Sequence, residues 1–151
     1  NPKYASQVTQ SHAGCVFHLN QMLFGALAGR AGVNVQNPVV LDDHSEPQPD
    51  ITVLKLRSDW YTTAHPGPAD VLLLIEVMDT TAERDREMKT PLYARSGIAE
   101  VWLVDLDADV IEILREPGPD GYASVRTAAR GDKLTPLHLA SVTLQAADIL
   151  G

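Results

Sequence analysis

The 151-residue chain has 44% hydrophobic and 21% charged residues, and its 20 acidic and 12 basic residues give a formal net charge of -8. These proportions are typical of a globular protein, so we expect one domain over residues 1–151. The sequence has no apolar run long enough for a membrane span and no secretory signal, so we expect a cytoplasmic protein. Cys15 is the single cysteine, which excludes an internal disulfide and a multi-cysteine zinc site.

The first predicted element is an amphipathic helix over about residues 6–30. Its apolar residues recur at helical spacing, at Val8, Cys15, Val16, Leu19, Met22, Leu23, Ala26 and Leu27. Gly32 is its predicted stop. His12 lies on the apolar stripe, where a satisfied core or subunit-contact histidine is commoner than a metal ligand.

Two strands and a loop are predicted next. Residues 33–41 are apolar with Pro38 interrupting, which indicates a strand with a break or bulge. Residues 51–56 suit a buried second strand that pairs with the first as a hairpin. Residues 57–68 contain aromatic residues and prolines and are expected to form a long surface loop.

A buried strand and a helix should occupy the middle of the chain. Residues 71–77 form the most hydrophobic run and predict a central strand. Thr80 and Glu83 have the spacing of a capping box, so a helix is expected over about residues 81–95. Pro91 cannot donate a backbone hydrogen bond, which predicts a kink or break near the end of this helix.

The last third of the chain is rich in strand patterns. Residues 101–106 and 110–114 should form a hairpin with a turn at 107–109, residues 122–127 an edge strand, and residues 142–150 a short strand and a helical turn. This order predicts a mixed β-sheet flanked by an N-terminal helix and a central helix, an α/β or α+β layered fold.

Three residues form a candidate phosphodiesterase site. Asp50 opens the second strand, Glu76 lies near the end of the central strand, and Lys89 lies on the following helix. A carboxylate in so apolar a strand is costly to desolvate unless it is paired or bound to metal. If the two strands are neighbours, both carboxylates can bind one Mg²⁺, which activates water and offsets the charge that develops at a phosphoryl group.

Other side chains are candidates for supporting roles. Asp85 lies one helical turn before Lys89 and could position its ammonium group, and Tyr93 lies one turn after it. The alternative is structural: a Glu76 ion pair with Arg84 or Arg86, and a solvated Lys89. For Glu76, the residues alone give both readings similar weight.

The chain carries an ordered set of motifs along most of its length. They are Ser11-His12, Pro49-Asp50-Ile51, Leu74-Ile75-Glu76-Val77, the Asp85, Lys89 and Tyr93 series, and Gly97-Ile98-Ala99-Glu100-Val101-Trp102-Leu103-Val104-Asp105. In their order and spacing, these motifs resemble the PD-(D/E)XK nuclease superfamily and, within it, the Uma-type restriction endonuclease family of bacteria. The resemblance implies a restriction-endonuclease-like fold and a DNA endonuclease that uses Mg²⁺ or Mn²⁺.

The same resemblance implies roles for individual residues. Asp50 and Glu76 would be metal ligands, the carbonyl of Val77 a third ligand and Lys89 the catalytic lysine. His12, Asp85 and Tyr93 are candidates for supporting roles on the strength of their helix positions.

Two positions depart from the family patterns. The superfamily pattern places a lysine two residues after the second acid, Glu76, but this chain has Met78 there. In the Uma-type family the lysine looks as though it has moved to the following helix, and Lys89 matches that position. Asp79 stands near a position that tends to be serine in the Uma-type family.

The alternatives to a DNA endonuclease are a catalytically silent binding or assembly domain and a phosphohydrolase acting on small nucleotides. The net charge of -8 does not favour DNA, although an acidic nuclease can bind it if basic residues cluster on one face. A homodimer is also expected, because a small domain with a long helix and a sheet edge gains by burying them.

Overall fold

The protein consists of a mixed sheet and helices on both of its faces. A computed structural model describes residues 9–79 and 83–151, with the side chains of all of these except 83–88. In chain order the elements are α1 (Gln10–Leu27), β1 (Gly32–Val35), β2 (Ile51–Leu54), a 3-10 turn (Pro68–Asp70), β3 (Val71–Met78), α2 (Glu83–Arg95), β4 (Glu100–Asp105), β5 (Val110–Gly118), β6 (Gly121–Ala128), β7 (Lys133–Leu134), β8 (Leu144–Gln145) and α3 (Ala146–Leu150).

The main sheet has six strands in the order β1-β2-β3-β4-β5-β6. Among the described strands of this sheet, only β3 and β4 pair in parallel, with α2 between them in the chain, and the other neighbours are antiparallel. β7 and β8 form a separate two-stranded sheet. The predicted mixed sheet with an N-terminal and a central helix is therefore confirmed. No helix in the described part of the chain is both long and apolar enough to cross a membrane.

Alternation along β3 divides the core into two layers. Ile75 and Val77 pack in the cluster that contains the buried stripe of α1, whereas Leu74 and Met78 pack in the cluster that contains Tyr93 of α2. Because successive side chains of a strand point to opposite faces, Glu76 lies on the same face as Leu74 and Met78. The face that α2 covers thus carries a buried acid.

The first predicted helix and its stop need correction. α1 ends at Leu27, and Ala28 and Gly29 follow with positive φ angles of 49° and 80°. Gly32 instead opens β1, so the predicted stop is wrong, because the left-handed residues that end a helix lie earlier. The expected helix over residues 6–30 began at positions that lie outside the described residues.

The first two strands are shorter than predicted. β1 ends at Val35, before Pro38, where Gln36 adopts a left-handed φ of 53°. β2 ends at Leu54, beside a shift in its register with β3 between Val53 and Leu54. The two strands do pair antiparallel, as predicted, although residues 36–50 separate them.

The second half of the chain follows the prediction with two differences. α2 continues through Pro91 to Arg95, so the helix does not break there, and the proline lies on its exposed side. The kink that was the other predicted outcome stays a prediction. The capping box of Thr80 and Glu83 and the predicted helix start lie outside the described residues and side chains. The hairpin of β4 and β5 and the final strand and helical turn are confirmed, and β7 was not predicted.

Candidate active site

Antiparallel pairing of β2 and β3 brings the two predicted acids together. Ile51 lies opposite Ile75, so the preceding residue, Asp50, lies opposite Glu76. The Asp50 backbone N–H donates to Glu76 Oε1 at 2.9 Å, and the Val77 backbone N–H donates to Asp50 Oδ2 at 2.8 Å. Each carboxylate thus accepts a hydrogen bond from the backbone of the segment that carries the other.

Both carboxylates are almost completely enclosed. Asp50 is 4% exposed and Glu76 is 2% exposed. Burying a carboxylate without partners costs several kcal/mol, and hydrogen bonds to the ionised form offset that cost. The reciprocal backbone contacts therefore hold two acids in fixed positions at one end of the sheet.

The two long helices each supply a side chain to this pair. His12 of α1, 1% exposed, places Nε2 at 3.1 Å from Asp50 Oδ2. Tyr93 of α2 is fully buried, and its hydroxyl donates to Glu76 Oε2 at 3.3 Å. His12 is thus a buried histidine with a carboxylate partner, and Tyr93 reaches the site from the opposite face.

A third carboxylate follows β3. Asp79 is 8% exposed and accepts a hydrogen bond from the hydroxyl of Thr9. The same Thr9 hydroxyl accepts from the His12 backbone N–H as the N-cap of α1. Thr9 therefore joins the start of α1 to the end of β3. The sequence analysis did not identify Thr9 as part of this region, because the only feature that marks it in the sequence is the preference for threonine at helix starts.

Lys89 lies one helical turn before Tyr93, with its side chain half-buried. Side chains four residues apart share a helix face, so Lys89 lies on the side of α2 from which Tyr93 contacts Glu76. Among the side chains that the structure describes, Lys89 has no ion-pair partner within 4.0 Å. The structure therefore does not bring its ammonium group into contact with the carboxylates. The side chain of Asp85 lies outside the described part.

Met78 occupies the position where the superfamily pattern places lysine. It is 2% exposed and packs with Leu74 and Tyr93 in the core on the α2 face. A lysine there would have to bury its ammonium among apolar side chains, which is strongly unfavourable. The fold thus uses this position for packing.

The donor set has the chemistry of a hard-cation site. Two carboxylates are present, and Mg²⁺ is commonly bound by one or two carboxylates together with waters and substrate phosphate oxygens. Among the side chains that the structure describes, no three from His, Cys, Asp and Glu form a group that could hold a metal. The two carboxylates fit an ion that takes its other ligands from water or substrate. The third ligand predicted from the protein, the carbonyl of Val77, stays a prediction.

Cys15 lies close to the acids but has the character of a core residue. Burial, with a further contribution from the charge of Asp50, raises the pKa of its thiol from 9.0 to about 11. Its Sγ contacts the carbonyl of Ile149 at 3.4 Å. The thiol thus stays protonated at neutral pH, consistent with the small buried apolar role predicted for it.

Three comparisons relate the chain to known proteins. The model of the Uma2 family, described as "Putative restriction endonuclease", matches residues 4–147. No curated protein matches the sequence significantly. The crystal structure of a putative nuclease belonging to DUF820 from Anabaena variabilis superposes with a TM-score of 0.72 at 14% identity, covering 94% of this chain and 81% of that one. The type IIG restriction endonuclease BpuSI gives a TM-score of 0.43 at 16% identity, over 67% of this chain and 11% of that one.

Proposed function

The chain belongs to the Uma2 family, described as putative restriction endonucleases, and we propose that it is a metal-dependent endonuclease that hydrolyses DNA phosphodiester bonds. The observation that carries the proposal is the reciprocal hydrogen bonding of Asp50 and Glu76, which holds two buried carboxylates at one end of the sheet. Two carboxylates held side by side are the oxygen ligands that Mg²⁺ commonly takes in proteins, and this supports a cation site at the pair.

In this proposal Asp50 and Glu76 hold one Mg²⁺ or Mn²⁺, together with the carbonyl of Val77. When bound, the metal supplies an activated water and offsets the negative charge that develops on the phosphoryl oxygens. The protein's own part is to fix the ligands before the cation arrives. His12 and the Val77 N–H hold the Asp50 carboxylate, and the Tyr93 hydroxyl holds that of Glu76.

Lys89 is the proposed catalytic lysine. Support comes from its place on the face of α2 that reaches Glu76 through Tyr93, and from the burial of Met78 at the usual lysine position. Its ammonium group would orient the attacking water or stabilise charge at the scissile phosphate. Asp85, one turn earlier on the helix, is the proposed positioning residue for Lys89.

A second candidate function is a catalytically silent domain that binds or assembles through the same fold. It is favoured by one observation, the lack of contact between Lys89 and the described carboxylates. A silent domain would bind duplex DNA or another partner without cutting it.

A plasmid cleavage assay separates the two functions. Supercoiled DNA incubated with wild type and Mg²⁺ or Mn²⁺ should be nicked or linearised, and EDTA should stop the reaction. Asp50→Asn and Glu76→Gln should each slow cleavage by at least about 100-fold, because each removes a charged metal ligand. Glu112→Gln is the matched control, since Glu112 lies on the same row of the sheet as Glu76, two strands away. Intact plasmid with both metals, or undiminished cleavage by Asp50→Asn, would refute the nuclease.

A further inference from the structure

A polar pocket lies outside the candidate active site, on the face of β5 and β6. Its volume is about 280 Å³, and its lining residues are Ile113, Arg115, Ser124, Arg126, Lys133 and Thr135. Three of the 12 basic residues of the chain therefore line one pocket, and none of the six lining residues is acidic. In a chain with a net charge of -8, such a cluster is unexpected.

Strand register explains how the basic side chains come together. Arg126 pairs with Ile113, and Ser124 pairs with Arg115, so these four side chains share one face of the sheet. The short strand β7 then brings Lys133 to the same pocket, with Thr135 just beyond it. Three separate segments of the chain thus contribute to the lining.

The Arg115 guanidinium is fixed by two hydrogen bonds. Its Nε donates to Glu100 Oε2 at 2.8 Å and its Nη2 donates to the carbonyl of Thr135 at 2.8 Å. Glu100 is fully buried and also accepts from the indole of Trp102 and the backbone N–H of Leu137. This network fixes the guanidinium at the pocket wall, and Glu100 balances its charge.

Arg126 and Lys133 supply the uncompensated charge. Both are exposed, and neither has an ion-pair partner among the side chains that the structure describes. Two cations lining one pocket without an acid repel each other, and an anion between them relieves that repulsion. The Ser124 and Thr135 hydroxyls add neutral donors of the kind that bind phosphate oxygens.

We propose that this pocket binds a backbone phosphate of a polynucleotide. A phosphodiester offers charged oxygens to arginine and lysine, and such contacts supply most of the sequence-independent affinity for nucleic acids. A free nucleotide fits less well, because none of the six lining residues is aromatic and so none can stack on a base. The identification of the polynucleotide rests on the proposed nuclease function.

The pocket and Glu76 lie on opposite faces of the sheet. Arg126 pairs with Ile113, which continues across the sheet through Trp102 to Ile75, and Glu76, the next residue of β3, points to the other face. Three strand spacings correspond to about 14 Å between the backbones of β6 and β3. A phosphate contact at this pocket is therefore separate from any contact made on the α2 face.

Binding of a fluorescein-labelled duplex in EDTA tests the pocket without cleavage. The double variant Arg126→Ala/Lys133→Ala should raise the Kd for the duplex about tenfold at moderate salt. The slope of the logarithm of the association constant against the logarithm of the salt concentration should become less steep by roughly 1 to 2. The matched control is Lys55→Ala/Arg95→Ala, which removes one lysine and one arginine from exposed positions outside the pocket. This control should bind within about twofold of wild type.

Three results would overturn the proposal: equal weakening in the two double variants, unchanged binding in the pocket variant, or no duplex binding by wild type at low salt. A fourth such result would be displacement of the duplex by inorganic phosphate at low millimolar concentration, since a free anion would then be the ligand. Because the readout needs neither metal nor cleavage, failure of the nuclease assay leaves this binding result interpretable on its own.

Discussion

Hydrogen bonding around Glu76 accounts for a buried acid on the α2 face of β3. Its Oε1 accepts the Asp50 backbone N–H and its Oε2 accepts the Tyr93 hydroxyl. Bonds to a charged acceptor are stronger than those to a neutral one. At the residue scale, the site is therefore an arrangement of donors that fixes the positions of the carboxylate oxygens.

Removing the Tyr93 hydroxyl should weaken the protein modestly. Tyr93→Phe keeps the ring in the core and deletes one donor to Glu76, so we expect a loss of about 1 to 2 kcal/mol in the free energy of unfolding in urea. Tyr122→Phe, which deletes a donor to the neutral carbonyl of Ile98, is the control and should cost less. A Tyr93 variant as stable as wild type would show that the 3.3 Å contact contributes nothing.

Lys89 should act in chemistry rather than in metal binding. Lys89→Ala is expected to slow single-turnover DNA cleavage by about 100-fold or more, because it removes the positive charge of the ammonium group proposed to lie beside the scissile phosphate. The variant should bind Mn²⁺ as wild type does, since the described carboxylates do not contact its ammonium group. The exposed-lysine control, Lys55→Ala, should cleave normally. Wild-type cleavage by Lys89→Ala would eliminate its catalytic role.

Cys15 gives the native state a defined sensitivity to alkaline pH. The pKa of its thiol is raised from 9.0 in the unfolded chain to about 11 in the folded one, so the folded state binds the proton more tightly. The resulting stabilisation is complete below pH 9 and is lost as the pH rises towards 11. Urea unfolding should show wild type losing more stability than Cys15→Ala across this interval. Parallel pH profiles would contradict the raised pKa.

At the scale of elements, Pro91 is the residue that most clearly destabilises the helix in which it lies. α2 continues through it, although proline cannot donate to the carbonyl of residue 87 and is the least favourable residue in a helix interior. Because Pro91 is exposed, Pro91→Ala should raise the free energy of unfolding by about 1 to 3 kcal/mol. A destabilised Pro91→Ala variant would mean that the ring makes a contact the helix needs.

Periodicity predicted most elements because apolar spacing reflects which face is buried. The ends of β1 and β2 could not be predicted in this way. They coincide with the left-handed φ of Gln36 and with the register shift between Val53 and Leu54, and apolar spacing encodes neither. β7 was missed for a similar reason, since two residues are too few to show alternation.

At the scale of the whole molecule, the sequence singled out the two acids that the structure brings together, but not the contacts through which they meet. Asp50 and Glu76 are distinguished by their places beside apolar strands. Their pairing depends on the register of β2 against β3, and the contact of His12 with Asp50 depends on how α1 lies on the sheet. Both follow from the packing of the entire chain, so His12 was predicted only in a supporting role.

The central claim is that Asp50 and Glu76 together bind one divalent cation. Isothermal titration of Mn²⁺ into the wild-type protein tests it most directly, with Asp50→Asn, Glu76→Gln and the control Glu112→Gln titrated in parallel. We expect one site per chain in wild type and in Glu112→Gln, and at least about tenfold weaker binding in each site variant. Absence of binding to wild type, or equal affinity in Asp50→Asn and Glu76→Gln, would contradict the claim.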